Sequence, residues 1–255
     1  HNIANKTTEG FSRQRVELQT NAPIGEGNLR IGMGARAGMV TRANNPWLEK
    51  QIQKETTNLG FQNGRTDSLA RVEQVFNEQQ NKGLNQYMTQ FFNAFRELAN
   101  NPESLASRTM VKEGGQQLAD DFKRVNHQLH DIQTDIDGQV TNLVGQVNKI
   151  TKEIASLNEK VAQVEVQGIP ANDERDRRDM LLKQLGEKVD ISWAEGKDGQ
   201  VSITAGNTAI LVSGGTATEL IPHVTNDRNR ADIMYRQDEN GSTFKLTDQF
   251  KGGQQ

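Results

Sequence analysis

The feature that most constrains the fold is a run of apolar residues at heptad spacing between positions 118 and 164. Its members alternate four and three residues apart, apart from one extra four-residue step after Ile136: Leu118, Phe122, Val125, Leu129, Ile132, Ile136, Val140, Leu143, Val147, Ile150, Ile154, Leu157, Val161 and Val164. This spacing predicts a long helix with a narrow apolar seam. At 1.5 Å per residue the run is about 70 Å long, whereas a compact globule of this chain length is about 45 Å across. The sequence therefore predicts a rod-like part, with a stutter around Gly138.

Two shorter apolar runs supply a partner for the seam. Asn45-Pro46 pairs a capping residue with proline at the first helical position, and apolar residues follow from Trp47. Gly60 and Gly64 leave one long helix or two as alternatives. Four aromatic residues cluster in the second run, at 84–98. An intramolecular antiparallel bundle of residues 46–100 with the seam is favoured over pairing with a second copy, because these helices expose matching apolar faces.

Capping residues, proline and glycine set the expected ends of the long helix. Asn101-Pro102 repeats the cap-plus-proline pattern and predicts its start, and Gln167-Gly168 predicts its end. The adjacent glycines at 114 and 115 are a candidate break, since they cost about 2 kcal/mol of helix propensity. Residues 174–185 predict a further helix, capped by Ala171-Asn172-Asp173. Its mixed-charge face is expected to be solvated and salt-bridged, comprising Arg175, Asp176, Arg177, Arg178 and Asp179.

The remaining segments have the signals of β structure. Glycines at 25–38 predict a glycine-punctuated hairpin after a short strand at 11–16. From Val189 the apolar period becomes two, and short strands separated by glycine turns predict a β-rich domain. The predicted fold is a mainly α elongated helical bundle with an N-terminal β-hairpin segment and a small C-terminal β-rich domain, in the α+β multidomain class. Its expected parts are 1–45, 46–187 and 188–255.

Composition excludes several classes of function and partner. The 255 residues carry a formal charge of −3 with no basic block, so neither nucleic acid nor an anionic membrane is an expected partner. No window has the roughly 18 apolar residues of a membrane span. The chain lacks cysteine, which excludes disulfides and thiolate metal sites.

The search for chemistry finds no active site. Gly32-x-Gly34-x-x-x-Gly38 has one residue too many for a dinucleotide fingerprint and lacks its strand-to-helix context. His127 and His130 lie outside the seam and have too few companions for a metal site. No nucleophile elbow, Walker loop or His-Glu-x-x-His pattern occurs. We therefore expect no catalytic residues, no cofactor and no metal, and a protein that is not an enzyme.

The opening of the chain resembles a known signature. An Asn-Ile-Ala-Asn core is followed at short spacing by threonine, glycine, an aromatic residue, serine and arginine, as in flagellar rod, hook and hook-associated proteins. The matching residues are Asn2, Ile3, Ala4, Asn5, Thr8, Gly10, Phe11, Ser12 and Arg13. A second stretch, from an Ala-Ser-Leu-Asn helix at 155–158 through Asn172-Asp173-Glu174-Arg175-Asp176 to Val189-x-Ile191, is similar to the hook-associated protein 1 family of the hook-filament junction.

The resemblance implies a structural role in the bacterial flagellum. Its expected partners are hook protein, a second junction protein, further copies of the chain and the flagellar export machinery. The expected location is extracellular, reached without a cleaved signal peptide. The terminal helices of the family are expected to be missing, so this piece is expected to be monomeric in isolation. Two alternatives stay open at this point: another axial protein such as hook or distal rod protein, or a secreted helical adhesin or binding module.

Overall fold

The computed structural model describes residues 2–8, 10–26, 29–76, 83–206, 208–225, 230–236, 242–250 and 252–253, without the side chains of 24–31, 224, 225 and 230. The chain divides into two compact units. Unit 1 comprises His1–Gln62, Asn142–His223 and Asp232–Gln255, and unit 2 comprises Asn63–Thr141 and Val224–Ala231. The three-part division at residues 45 and 187 stays a prediction.

Four helices account for most of the described chain: α1 is Pro46–Phe76, α2 is Leu84–Asn100, α3 is Leu105–Glu165 and α4 is Asn172–Lys188. The predicted fold class is confirmed, with the seam on the 61-residue α3. The candidate breaks at Gly60, Gly64 and the 114–115 pair are not breaks, because α1 and α3 run through them. A Cβ added at Gly114 would make only an ordinary contact, 3.6 Å from the Cα of Phe91 of α2, but one added at Gly115 would lie 3.2 Å from the Phe91 ring. Glycine there allows close packing of α2.

The starts of α1 and α3 and the end of α2 follow the capping chemistry, with a correction at the start of α3. The side chain of Asn45 accepts hydrogen bonds from the backbone N–H groups of Trp47 and Leu48 at 3.2 and 3.3 Å, as its cap role predicts. The start predicted at Asn101 for α3 is wrong by a few residues. Ser104 accepts the capping bond from the Ser107 amide at 3.2 Å instead, and the Asn101 amide closes α2 by donating to the Glu97 carbonyl.

The N-terminal segment forms two nested antiparallel ladders. Strand β1, Gln14–Thr20, pairs with β4, Ala35–Arg42, and between them β2, Ile24–Glu26, pairs with β3, Leu29–Ile31. The hairpin is therefore confirmed, but β1 begins at Gln14 and not at Phe11. Before Gln14 the chain leaves the ladder, because the backbone N–H of Ser12 donates to Asp176, and the side chain of Asn2 bonds both backbone groups of Gln14.

The C-terminal strands form two antiparallel sheets. One has the order β5-β6-β7-β8, with β5 at Ile191–Glu195, β6 at Val201–Ala205, β7 at Ala209–Ser213 and β8 at Thr216–Ala217. The other has the order β11-β10-β9, with β9 at Leu220–Thr225, β10 at Arg230–Arg236 and β11 at Thr243–Lys245. The short β8 has no counterpart in the prediction. A 3-10 turn at Thr247–Gln249 follows β11.

The core of unit 1 lies between the second half of α3, α4 and the four-stranded sheet. Seam residues there are almost completely buried: Val147, Ile150, Ile154, Leu157 and Val161. Leu185 of α4 and Ile203 of β6 are fully buried as well. The buried face of α3 is wider than the seam, because it adds Val144, Thr151, Ala155 and Asn158. The partners of the seam in unit 1 thus include the sheet and α4, beyond the helices that the sequence pattern indicates.

Unit 2 is packed more thinly. Of the seam residues there, Val125 is buried, Phe122 is 50% exposed, and Leu118, Leu129, Ile132, Ile136 and Val140 are half-buried. Helix α2 lies beside α3, with the Phe91 ring against Gly115. No residue of α2 is fully buried, and Phe92 and Phe95 are exposed. Apolar faces in this unit are therefore only partly covered by its own described residues.

Candidate assembly site on helix α4

Helix α4 organises the residues that the sequence singled out. Its carboxylates at 173, 176 and 179 recur every three residues, which places them on one face of the helix. The predicted salt bridges of this charged face are present and Arg177 is exposed, but the predicted solvation is wrong for Asp176 and Arg178. Side chains of Asp176 and Arg178 are only 8% and 1% exposed. Burial of mixed charge requires partners for each group, and α4 finds them on two sides.

The first side binds the N-terminal segment. Asp176 accepts the backbone N–H of Ser12 on one oxygen at 2.9 Å and the guanidinium of Arg42 on the other at 2.7 Å. The same guanidinium nitrogen donates to Asp179 at 2.8 Å. One carboxylate therefore joins Ser12, two residues before β1, to the last residue of β4. Charge-assisted bonds of this kind are about twice as strong as neutral ones.

Neighbouring residues of α4 extend this contact. The side chain of Asn172 donates to the Val40 carbonyl at 2.8 Å, and Gln14 donates to Asp173 at 3.3 Å. The helix begins at Asn172, so the capping position is Ala171, which has no polar side chain, and α4 begins without a side-chain cap. The predicted capping of this helix by residues 171–173 is wrong for that reason.

Part of the N-terminal signature meets α4. Gly10 has a φ of +79°, and a Cβ added there would lie 3.1 Å from the Cβ of Met180, so glycine is required by conformation and by space. Phe11 and Ser12 are half-buried beside it. A second part of the signature lies within the segment itself, where Thr8 donates to Asn5 at 3.3 Å. Ile3, Ala4 and Arg13 are exposed, Ile3 to 93%.

Burial acts against charge on this side of the helix. It raises the pKa of the Asp179 carboxyl above its ordinary value, although Arg42 beside it pulls in the opposite direction. Ionisation of the buried Asp179 therefore costs free energy, and the nearby positive charge of Arg42 offsets part of that cost.

The second side of α4 faces the core of unit 1. Arg178 donates to the Asn158 side chain at 3.1 Å, to the Gly199 carbonyl at 2.6 Å and to Glu195 at 3.2 Å. Asn158 in turn donates to the carbonyls of Val201 and Gly214, both at 2.8 Å, and accepts the Val201 amide at 3.0 Å. This buried network ties α3, α4 and the β5-β6 and β7-β8 turns into one body.

Sequence reasoning missed this network, although a signal for it exists. Thr151 and Asn158 occupy the stripe 147, 151, 154, 158 and 161, which repeats at four and three residues beside the seam. A polar residue within such a stripe requires a buried partner. The partner, Arg178, could not be identified from spacing because it lies on a helix whose charge pattern looks solvated.

A third cluster closes the connection between α3 and α4. Arg175 forms a two-pronged ion pair with Glu165, at 2.6 and 2.8 Å, and a further bond to Glu195 at 2.6 Å. The bond from Arg175 lowers the pKa of the Glu165 carboxyl below its ordinary value and raises that of the guanidinium. The cluster lines a cleft of about 330 Å³ together with Ile52, Leu182 and Trp193.

The chemistry of these groups is that of binding. Within the described part of the chain, no group of three or more His, Asp or Glu side chains could hold a metal ion. His127 and His130 are exposed on α3, as expected. None of the described helices has the length and apolar character needed to cross a membrane.

Comparison with known proteins identifies the class to which this fold and site belong. Residues 69–254 match the family described as the flagellar hook-associated protein FlgK helical domain. The match covers more than half of the chain, and the chain therefore belongs to this family. The match includes α2, α3, α4 and the C-terminal strands.

Individual relatives agree with that assignment. The chain is 29% identical over 242 residues to flagellar hook-associated protein 1 of Bacillus subtilis, covering 91% of this chain and 45% of that protein. It is 26% identical over 240 residues to flagellar hook-associated protein 1 of Escherichia coli, covering 92% and 43%. The solved flagellar hook junction protein FlgK from Burkholderia pseudomallei has a similar fold, with a TM-score of 0.66 at 22% identity over 80% of this chain and 37% of that one. The chain thus spans less than half the length of these relatives.

Proposed function

We propose that this chain is part of a structural subunit of the bacterial flagellum that acts as an adaptor at the hook-filament junction. The observation that carries the proposal is the family match over residues 69–254, since the relatives of the same family are hook-associated and hook junction proteins. The role is mechanical and not enzymatic, which agrees with a charged site whose groups are engaged in mutual binding.

The proposed partners are hook protein, a second junction protein and further copies of the subunit, with the flagellar export machinery delivering it to the cell exterior. Incomplete coverage of apolar faces in unit 2 supports assembly, because Phe92, Phe95 and Phe122 are 61%, 46% and 50% exposed. Exposed apolar patches rimmed by polar residues are typical of protein interaction surfaces.

We further propose that the signature residues position the N-terminal segment for assembly. Gly10 and Ser12 seat the segment on α4, whereas Ile3 is left on its surface. The seam residues of α3 have two roles in this proposal. Those of unit 1 hold the sheet, and the half-buried ones of unit 2 complete their packing against neighbouring subunits.

Deletion of the gene tests the function. The expected result is a strain that builds hooks of normal length, lacks filaments and releases filament subunits into the medium, with recovery when the intact gene is supplied. Loss of the hook itself would assign the protein to the hook or rod. Normal filaments would exclude a flagellar adaptor and favour a separate adhesin or binding module.

A further inference from the structure

The attachment of the N-terminal segment differs from the packing of the rest of unit 1. We call the described residues of 2–42 the N-terminal arm. Among its described side chains none is fully buried, and the apolar residues of its ladder, Val16, Leu18, Met39 and Val40, are 39% to 72% exposed. The core of unit 1 is built from α3, α4 and the sheet without them. Removal of the arm therefore opens no cavity in that core.

Polar contacts to α4 hold the arm. Asp176 receives the Ser12 amide and Arg42, Asp179 receives Arg42, and Asn172 donates to the Val40 carbonyl, all at 2.7 to 2.9 Å. Gln14 adds a bond to Asp173 at 3.3 Å. Water can replace every one of these bonds when the arm leaves, because the groups lie at the edge of the unit. Because water takes over the bonds, their net free energy is only a fraction of their strength in isolation, even for the charge-assisted ones.

The arm and α1 are joined by a short connection. The arm ends at Arg42, and residues 43–45 lead directly to the first turn of α1. The amide of Ala43 donates to the Arg13 carbonyl at 2.7 Å, so the base of the ribbon closes on itself. Its ladders, β1 with β4 and β2 with β3, are internal to the arm. The arm is thus one cooperative element with its attachment concentrated on a single helix face.

We propose that the N-terminal arm is a detachable element, held on α4 by a carboxylate latch centred on Asp176, and that it undocks as a unit while the core of unit 1 stays folded. This inference goes beyond the flagellar role and does not depend on it. Undocking exposes the acidic face of α4. A two-stranded ribbon alone is marginally stable, so the ladder amides lose protection when the latch opens.

Hydrogen exchange of the intact 255-residue chain tests the proposal. Amides of residues 10–23 and 32–43 are expected to exchange at least tenfold faster than those of 144–161, because they need only the local opening. Asp176→Asn keeps the shape of the side chain but turns a donor toward Ser12 or Arg42. Relative to the wild-type chain, this variant is expected to accelerate amide exchange of the arm about tenfold and to leave the exchange rates of 144–161 within twofold of their wild-type values.

Matched variants keep the test decisive. Glu187→Gln alters an exposed carboxylate on the same helix and is expected to change neither set of rates. Arg42→Gln removes the positive partner of Asp176 in the latch. It replaces Asp176→Asn in the exchange experiment if that variant does not fold, and the same acceleration of the arm is expected. Equal exchange of arm and core in the wild-type chain would overturn the proposal. So would a latch variant that accelerates both sets alike, or neither.

Discussion

Arg178 of α4 donates a 3.1 Å hydrogen bond to the side chain of Asn158 of α3, and the two residues are 1% and 0% exposed. Each residue also binds the sheet, Arg178 through the Gly199 carbonyl and Asn158 through both backbone groups of Val201. A charged helix that looks like solvent-facing surface is thereby fixed to the core. The carboxylates of Asp173, Asp176 and Asp179 on the same helix receive the N-terminal arm.

Removing Arg178 should cost more than removing its neighbour. Arg178→Met leaves the Gly199 carbonyl without this donor and the Asn158 side-chain oxygen with one bond fewer inside unit 1, and we expect each loss to cost about 1 to 3 kcal/mol in the free energy of unfolding. Arg177→Met is the matched control. Its side chain is 63% exposed and pairs with Glu153 at the surface, where such pairs contribute about 1 kcal/mol or less.

Tryptophan fluorescence during urea unfolding measures both variants. The two tryptophans, Trp47 and Trp193, lie in unit 1, so the signal reports the unit that contains the network. Equal stability losses for the two variants would show that the Arg178 network does not hold the unit together.

Asp179→Asn should be at least as stable as the wild-type chain at pH 7. Burial raises the folded-state pKa of Asp179 above its unfolded value of 3.8, so the folded chain binds the proton more tightly than the unfolded chain. The contribution of this carboxyl to stability falls as pH rises through the window above 3.8 and stays unfavourable at pH 7. Asparagine avoids that cost and still accepts a bond from Arg42. Its advantage should shrink as the pH is lowered toward 4, and a variant that is weaker only at pH 7 would contradict this sign.

Glu165→Gln should have the opposite pH dependence. The Arg175 bond lowers the folded-state pKa of Glu165 below its ordinary value of 4.5. Its contribution is therefore fully present above pH 4.5 and is lost as pH falls through the folded-state pKa. We expect the variant to be less stable than the wild-type chain at pH 7, with the difference closing below pH 4.5 in the same urea titration. A difference that does not change with pH would exclude an ionised Glu165 as its cause.

Gly138→Ala should stabilise α3 by about 1 kcal/mol, since alanine has the higher helix propensity. A Cβ added at Gly138 meets no atom within 4 Å, and the helix is continuous at the stutter. Gly115→Ala is the control on the same helix, because its Cβ would lie 3.2 Å from the Phe91 ring and part of the gain is lost. Thermal unfolding followed by circular dichroism compares them. A destabilising Gly138→Ala would indicate that the stutter needs the freedom of glycine.

Apolar periodicity and capping residues in the sequence predict the helices and strands well. They do not predict contacts between residues that are far apart in the sequence. The heptad seam predicts α3, Asn45-Pro46 predicts the start of α1, and the change to period two at Val189 predicts β5. The charge pattern of α4 does not reveal that Asp176 binds Ser12, 164 residues away. A mixed-charge helix face has the same local pattern in water and against a polar partner, so only the fold distinguishes the two cases.

The location of the protein on the flagellum tests the central claim most directly. Antibodies raised against this chain, applied to hook structures isolated from the native bacterium and viewed by electron microscopy with gold label, should mark the distal end of the hook. A strain without the gene provides the control for background label. Label along the whole hook, on the rod, or on no part of the isolated structures would contradict an adaptor at the hook-filament junction.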